Sequence, residues 1–390
     1  MKIRQKKRLL KLLEGIEDFR RHRDQIVYPL HEILFMSLFA LVKGDTTFSE
    51  IHFTMSINKD NKIFKKLFGK KKIRIPSRST LHRILMNTNN DELEVVFREY
   101  FKKYVDKQDI AVDGKWLRGS DVNGQYTQES HKLVLNVLDK KSKIVMGHKF
   151  IENGKSHEIP SFTEILKDKS FCNDGQIFTF DALMTQVDIL NTINTQKNKY
   201  IAKVKGNQKL LKNKVILTTN DFLNPIETYE DTKLYKTENS NKSVVRTVDI
   251  FYNRDTNIVM YHDKFENIQT IIRVTKESTN LLTKKITTTI EYLIANFKST
   301  AEEFYNKILE HWRVETYHYH LDTLTKEDDH ICYVNPFSIS ILRSFTVNLY
   351  QLYFNINKNN KILDAIPTTM ANVKHMSSVS DDFISEIFEL

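Results

Sequence analysis

The chain has 390 residues, of which 40% are hydrophobic and 28% charged, a composition typical of a folded protein with two or three domains. Its two cysteines, Cys172 and Cys332, are too few for a disulfide framework or a cysteine-rich zinc site, and they suit a reducing compartment. The start of the chain has no targeting signal, and the longest apolar stretch, residues 33–42, is too short to span a bilayer. We therefore expect a cytoplasmic protein.

The net charge of +10 is concentrated at the beginning of the chain. Residues 1–105 carry 23 basic and 12 acidic residues, whereas the remainder carries 36 basic and 37 acidic residues. This asymmetry predicts a polyanionic partner, with nucleic acid as the first choice, bound by the N-terminal part. Solvated charge on surface helices is the plainer explanation of the same pattern.

The first predicted elements are helices, which fill residues 8–104. One of them lies between Pro29 and Gly44, which are start and stop signals for a helix. Another follows a basic run at residues 59–75 and has Ser77 or Ser79 as its N-cap. A short basic helix of this kind is suited to a DNA groove, and an ordinary surface helix fits the pattern equally well.

From residue 110 the pattern changes to strands that alternate with helices, which predicts a mixed α/β sheet. Residues 210–297 interrupt this alternation with β-branched and aromatic segments, which predict an antiparallel insertion. A long helix then begins at residue 300, where Thr300 and Glu303 form a candidate capping box.

Two predicted strands end in an aspartate after an apolar run. Asp113 ends "IAVDG" and Asp181 ends "IFTFDA". If the strands are neighbours in the sheet, the two carboxylates repel each other unless a cation lies between them, and carboxylate oxygens are the ligands that Mg²⁺ or Mn²⁺ prefers. Glu315 on the long helix is the candidate for a third acidic ligand.

The same helix allows a different metal site. His311, Glu315, His318 and Asp322 share one helix face, and Glu315 with His318 forms the Glu-x-x-His pair that di-iron bundle proteins use. Such proteins need a second pair on another helix, which the sequence does not offer. Packing of Tyr317, His318 and Tyr319 against the sheet is the simpler explanation of these aromatic residues.

Four ordered motifs resemble a known family, the insertion-sequence transposases of the H-repeat-associated group. They are "AVDGKWLRGS", "FTFDALMTQ", "YIAKVKGNQKLL" and "HWRVETYHYHLDTLTKED", and the likeness extends from about Phe19 to Leu352. The resemblance implies an RNase H-like core: a mixed α/β sheet with flanking helices, interrupted by a β-rich insertion and preceded by a helical N-terminal domain.

The resemblance also implies the boundaries of these parts and the residues of the site. The catalytic and metal-binding acids would be Asp113, Asp181 and Glu315, which would hold two Mg²⁺ or Mn²⁺ ions. The predicted segments are 1–105 (basic, DNA-binding), 106–209 (first part of the core), 210–298 (insertion), 299–355 (second part of the core) and 356–390 (tail). The predicted DNA contacts are Lys70, Lys71, Lys72, Arg78, Arg83, Lys115, Arg118, Lys205, Asn207 and Gln208.

The expected function is therefore cleavage of double-stranded DNA at transposon ends and joining of the 3′-OH to target DNA by metal-dependent phosphoryl transfer. Because two DNA ends must be held at once, we expect a homo-oligomer, associated with the bacterial nucleoid. Two alternatives stay open at this point. One is a catalytically silent relic that still binds DNA, and the other is a metal-dependent nuclease of the same fold.

Overall fold

The structure is a computed structural model, and it describes most of the chain. The described residues are 3–21, 25–120, 132–152, 157–222, 224–237, 240–252, 265, 267–329, 332, 335–357 and 369–390. The resemblance to the transposases also includes the segment "NGKSHEIPSFTEIL" at 153–166, of which residues 153–156 lie outside the described residues.

The described helices and strands make up a mixed α/β protein, as the sequence predicts. The helices are α1 (Ile3–Glu14), α2 (Leu30–Lys43), α3 (Phe48–Ile57), α4 (Lys62–Phe68), α5 (Arg78–Met86), α6 (Asn90–Phe101), α7 (Glu158–Lys167), α8 (Val187–Thr195), α9 (Lys209–Leu217), α10 (Ala301–Leu324), α11 (Pro336–Asn357), α12 (Met370–Val379) and α13 (Asp381–Ile387). The strands are β1 (Asp109–Trp116), β2 (Leu133–Asp139), β3 (Ile144–Ile151), β4 (Ile177–Phe180), β5 (Lys199–Val204), β6 (Glu227–Thr237), β7 (Ser240–Tyr252), β8 (Thr270–Asn280) and β9 (Ile286–Ala295).

The chain divides into two compact units. Unit 1 contains Met1–Asp106, Gly114–His157 and Glu315–Leu390, and unit 2 contains Lys107–Asp113 and Glu158–Val314. Two elements therefore begin in unit 2 and end in unit 1, because the division falls inside β1, after Asp113, and inside α10, after Val314. The five segments predicted from the sequence stay a prediction.

Unit 1 is built around α11, which is buried from Pro336 to Tyr353. This helix packs against α2, and the Tyr350 hydroxyl donates to the Val42 carbonyl across 2.7 Å. It also packs against β3, where Asn348 accepts from and donates to the backbone of Val145. Such paired contacts satisfy backbone groups that are buried away from water, which explains a polar residue inside an apolar helix.

Unit 2 contains a mixed sheet in the order β1-β4-β5-β9-β8-β7-β6. The first three strands are parallel, and the strands from β9 to β6 are antiparallel to their neighbours. The first turns of α10 cover one face of the antiparallel part, where Phe304 packs in a core with Ile250, Ile272 and Leu293. Burial of this apolar surface is the main force that holds the helix on the strands.

Several predicted elements are confirmed. α2 begins after Pro29 and ends at Gly44, which has the left-handed φ of 110° that favours glycine. Ser77 is the N-cap of α5, and Thr300 accepts from the Glu303 amide at the start of α10. β6 was not predicted, because its sequence is rich in charged residues and exposed along most of its length. None of the helices in the described part of the chain has both the length and the apolarity needed to cross a membrane.

Candidate active site

Two aspartates follow neighbouring parallel strands at the same level of the unit 2 sheet. The last paired residues of β1 and β4 are Val112 and Phe180, which lie opposite each other. Asp113 and Asp181 come directly after them. Because neighbouring strands lie about 5 Å apart, this register brings the two acidic residues to one edge of the sheet. Both aspartates are partly exposed, whereas the residues before them are buried.

The surroundings of Asp181 keep its carboxylate charged. Burial raises the pKa of Asp181, but the hydrogen bond and charge of Lys205, with the Ala182 amide, outweigh burial and lower the pKa below its ordinary value. The Lys205 ammonium lies 3.0 Å from Oδ1 of Asp181, and the two side chains are 52% and 47% exposed. Solvent therefore reaches this ion pair.

Two residues of the predicted DNA-contacting set brace the loop that carries Asp181. Asn207 donates from Nδ2 to the Ala182 carbonyl across 2.7 Å. Gln208 donates from Nε2 to the Thr185 carbonyl across 2.9 Å. The loop after β5 is thus hydrogen-bonded to the loop after β4. These side-chain amides hold the turn that follows Asp181, which is a role that the sequence motif did not reveal.

Glu315 lies on the part of α10 that belongs to unit 1, and it is exposed. Its neighbours on the same helix face contact strands of that unit. Nε2 of His318 lies 3.0 Å from the Asn136 amide in β2, and Asp322 is 2.7 Å from the Lys115 ammonium in β1. The helix face that carries Glu315 is therefore turned toward these strands.

In unit 2, an earlier residue of α10 makes a comparable contact. Nδ1 of His311 lies 3.1 Å from the hydroxyl of Thr179, two residues before Asp181 on β4. Thr179 in turn donates to the Ile110 carbonyl of β1. Both histidines of the alternative iron site thus have protein partners for the ring nitrogens named here. The spacing of the residues showed the shared helix face, but it did not show these partners.

The side chains at this edge have the chemistry of a site for a hard cation. Asp113 and Asp181 offer carboxylate oxygens, which Mg²⁺ and Mn²⁺ prefer. Among the described residues, no group of three or more His, Cys, Asp or Glu side chains has an arrangement that could hold a metal ion. Carboxylate oxygens are the type of ligand that a magnesium ion prefers. In the structure, the Lys205 ammonium is the positive charge beside Asp181.

Lys115 was predicted to contact DNA, but its ammonium lies inside unit 1 among carboxylates. Its side chain is only 6% exposed, and Nζ is 2.7 Å from Asp322, 3.0 Å from Asp328 and 3.8 Å from Glu327. Burial lowers the pKa of Lys115, but the three carboxylates outweigh burial and raise the pKa above its ordinary value. Arg118 is 70% exposed at the edge of this cluster, 3.5 Å from Asp328.

The predicted DNA contacts of the N-terminal helices differ in their surroundings. Lys71, Lys72, Arg78 and Arg83 are exposed. Lys70 instead lies 2.5 Å from Glu32, a buried carboxylate of α2. The exposed side chains are available to a polyanion, whereas Lys70 neutralises an internal charge.

Comparison with known proteins identifies the chain's relatives. Residues 104–339 match the model described as "Transposase DDE domain", and residues 10–101 match "DDE_Tnp_1-associated". The chain is 26% identical over 368 residues to "Putative protein YbfL" and 25% identical over 368 residues to "H repeat-associated putative transposase YhhI", both of Escherichia coli (strain K12). Each alignment covers 92% of this chain and 92% of the relative.

One solved structure that the chain matches is described as "Cryo-EM structure of piggyBac transposase synaptic complex with hairpin DNA (SNHP)". It has a TM-score of 0.47 and 11% identity, and the match covers 98% of this chain and 77% of the other. The resemblance to the H-repeat-associated group is confirmed by the family match and by the relatives. The chain belongs to the family defined by the transposase DDE domain.

Proposed function

We propose that this chain is an insertion-sequence transposase that cuts transposon-end DNA and joins the resulting 3′-OH to target DNA. The observation that carries the proposal is the register of β1 and β4, which brings Asp113 and Asp181 to one edge of the sheet. Family membership supports it, because the matching domain is described as a transposase domain and YhhI, which aligns with 92% of this chain, is named a putative transposase. The parallel strands β1, β4 and β5 with an antiparallel β9 beside them are consistent with an RNase H-like core.

The three acidic residues would supply the carboxylate ligands of the site. Asp113 and Asp181 supply carboxylates from the sheet, and Glu315 supplies the third from α10. Two Mg²⁺ or Mn²⁺ ions held by these oxygens would activate the attacking oxygen and stabilise the leaving one. Asn207 and Gln208 keep the Asp181 loop in place through their hydrogen bonds. Lys205 neutralises Asp181 and is exposed enough to move to a DNA phosphate.

The chemistry needs no covalent bond between protein and DNA. A water oxygen bonds to the phosphorus at the transposon end, and the bond from that phosphorus to the 3′-oxygen breaks, which leaves a 3′-OH. The 3′-oxygen then bonds to a phosphorus of the target DNA and displaces a target 3′-oxygen. Both steps are in-line displacements, so the acidic edge must hold the phosphate between the attacking and leaving oxygens.

The exposed basic residues supply the DNA-binding part of the proposal. Lys71, Lys72, Arg78 and Arg83 would contact phosphates or bases of the transposon end, and Arg118 would contact DNA beside β1. Lys115 is not one of these contacts, because its charge is neutralised inside unit 1. Two ends are joined in one reaction, so we propose a homo-oligomer on DNA, in the cytoplasm with the nucleoid.

Incubation with the DNA that flanks its own gene tests this proposal. In the presence of Mg²⁺ we expect nicks at the transposon end that leave a 3′-OH, followed by strand-transfer products when target DNA is added. Binding without nicks would show a silent DNA-binding relic. Nicks without joined products, under conditions that saturate the target, would show a metal-dependent nuclease of the same fold.

A further inference from the structure

Lys115 lies in a buried cluster of charged residues in unit 1. Three carboxylates surround one ammonium, and Glu327 and Lys115 are almost fully buried, with side-chain exposures of 2% and 6%. Oε1 of Glu327 also accepts from the Ser340 hydroxyl across 2.8 Å. Buried charges are costly unless they are paired and hydrogen-bonded. Such a cluster therefore fixes the positions of its members more than it adds stability.

The cluster joins the two elements that carry two of the proposed catalytic acids. Lys115 is two residues after Asp113 on β1, so the two side chains point to the same face of the strand. Asp322 is seven residues, about two helical turns, after Glu315 on α10, and so the two acids share a helix face. The Lys115–Asp322 ion pair thus connects the acid-bearing face of β1 to the acid-bearing face of α10.

Several contacts hold the C-terminal end of α10 beside this ion pair. The Glu327 amide donates to the Leu321 carbonyl across 3.3 Å, which folds the following chain back onto the helix. The Lys374 ammonium donates to the Leu324 carbonyl across 2.6 Å. These contacts fix the position of α10 along its axis, and the ion pair of Lys115 with Asp322 fixes its distance from β1.

We propose that Lys115 is a positioning residue of the transposase site: its ammonium, held by Asp322, Glu327 and Asp328, sets the spacing within unit 1 between the end of β1 that follows Asp113 and the part of α10 that begins with Glu315. The inference rests on the proposed function. Lys115 touches no reacting atom in this role. It acts through the two elements that it joins, and a displacement of about 1 Å in a reacting group can cost on the order of 100-fold in rate.

The test compares Lys115→Met with a matched control, Lys141→Met. Methionine keeps the apolar stem of lysine and removes the charge. Lys141 is also in unit 1 and pairs with one carboxylate, Asp106 at 3.0 Å, but its side chain is 75% exposed. Exposed pairs contribute little, so the control should behave as the wild type in every measurement.

Three measurements on the full chain separate positioning from the alternatives. The first is amide hydrogen exchange in residues 315–324 without metal or DNA, where we expect Lys115→Met to exchange at least about tenfold faster. The second is the salt dependence of DNA affinity, which should be unchanged. The third is single-turnover nicking at saturating DNA, which should fall at least about 100-fold in Mg²⁺ and less in Mn²⁺, because Mg²⁺ demands near-ideal geometry.

Each contrary result has a distinct meaning. A salt slope that falls by about 0.9 with unchanged exchange would make Lys115 a phosphate contact and overturn the proposal. Unchanged exchange, or wild-type nicking despite faster exchange, would also overturn it. If the wild type nicks no DNA, the proposed function fails, and the exchange measurement still decides whether Lys115 holds α10. Should Lys115→Met not fold, Asp322→Asn leaves two carboxylates on Lys115 and should show the same changes at smaller size.

Discussion

Two charged groups of this protein have members only two residues apart on β1, Asp113 in one and Lys115 in the other, yet their surroundings are opposite. Asp181, beside Asp113, pairs with an exposed lysine that solvent reaches. Glu327 and its neighbours pair with Lys115 in the interior of unit 1. An exposed cation can be exchanged for a metal ion or give way to DNA, whereas a buried cation must stay. The difference distinguishes acids that are available for chemistry from acids that hold structure.

The largest effect should follow from breaking the buried group. Glu327→Ala removes one carboxylate from Lys115 and the acceptor of the Ser340 hydroxyl. We expect the free energy of unfolding to fall by about 3–5 kcal/mol, because the buried Arg343 guanidinium loses the main negative charge that favours it, although Lys115 keeps Asp322 and Asp328. Asp181→Ala breaks only an exposed pair and should cost about 1 kcal/mol or less. Chemical denaturation of both variants measures the contrast, and equal losses would contradict it.

The next effect concerns the two metal sites that the sequence allowed on α10. Glu315→Gln should reduce Mg²⁺-dependent nicking more than about 100-fold, since the loss of a ligand should exceed the 10–100-fold cost of losing a residue that supports one. His318→Ala removes the contact with Asn136 and should leave measurable nicking. Metal analysis of the purified protein should find no stoichiometric iron. Iron in the wild type and its complete loss in His318→Ala would favour the iron site instead.

The basic residues of the N-terminal part give a third contrast between exposed and buried charges. Lys71→Ala with Lys72→Ala should reduce the slope of log affinity against log salt by about 0.9 for each DNA phosphate that the protein no longer neutralises. Lys70→Ala should instead lower stability, because it leaves the buried Glu32 without its cation. Salt titrations of DNA binding and thermal melts distinguish the two outcomes. An unchanged slope in the double variant would mean that these lysines are solvated surface residues that do not contact DNA.

The smallest effect is a pH dependence of the buried group. Burial raises the pKa of Glu327 despite the opposing charges of Lys115 and Arg343. The folded chain therefore binds this proton more tightly than the unfolded chain, and its contribution to stability is lost as the pH rises through the raised pKa. Glu327→Gln has no such proton. As the pH rises above about 4.5, the free energy of unfolding of Glu327→Gln should therefore increase relative to that of the wild type. The total increase should be smaller than the stability lost in Glu327→Ala. If the difference in stability between Glu327→Gln and the wild type stays constant across that pH range, the pKa of Glu327 is not raised.

The sequence alone predicted the exposed acids but not the buried group. Asp113 and Asp181 each end an apolar run, and such a local pattern predicts a strand and the acid at its end. Lys115 meets Asp322 and Asp328, which lie more than 200 residues later, so no local pattern connects them. The resemblance implies a DNA contact for Lys115 and carries no signal of these ion pairs. It likewise implies DNA contacts for Asn207 and Gln208 and does not reveal their hydrogen bonds to the Asp181 loop.

The most direct test of the proposed site is the Mg²⁺-dependent nicking rate of Asp113→Asn, measured beside Asp109→Asn on DNA that flanks the gene. Both aspartates lie on β1, but Asp109 is at the opposite end of the strand, where it pairs with Lys307 at 3.0 Å. We expect Asp113→Asn to lose nicking and to keep wild-type DNA affinity, because the lost charge would hold metal and not phosphate. Asp109→Asn should cut as the wild type does. Normal nicking by Asp113→Asn would contradict the assignment of the site.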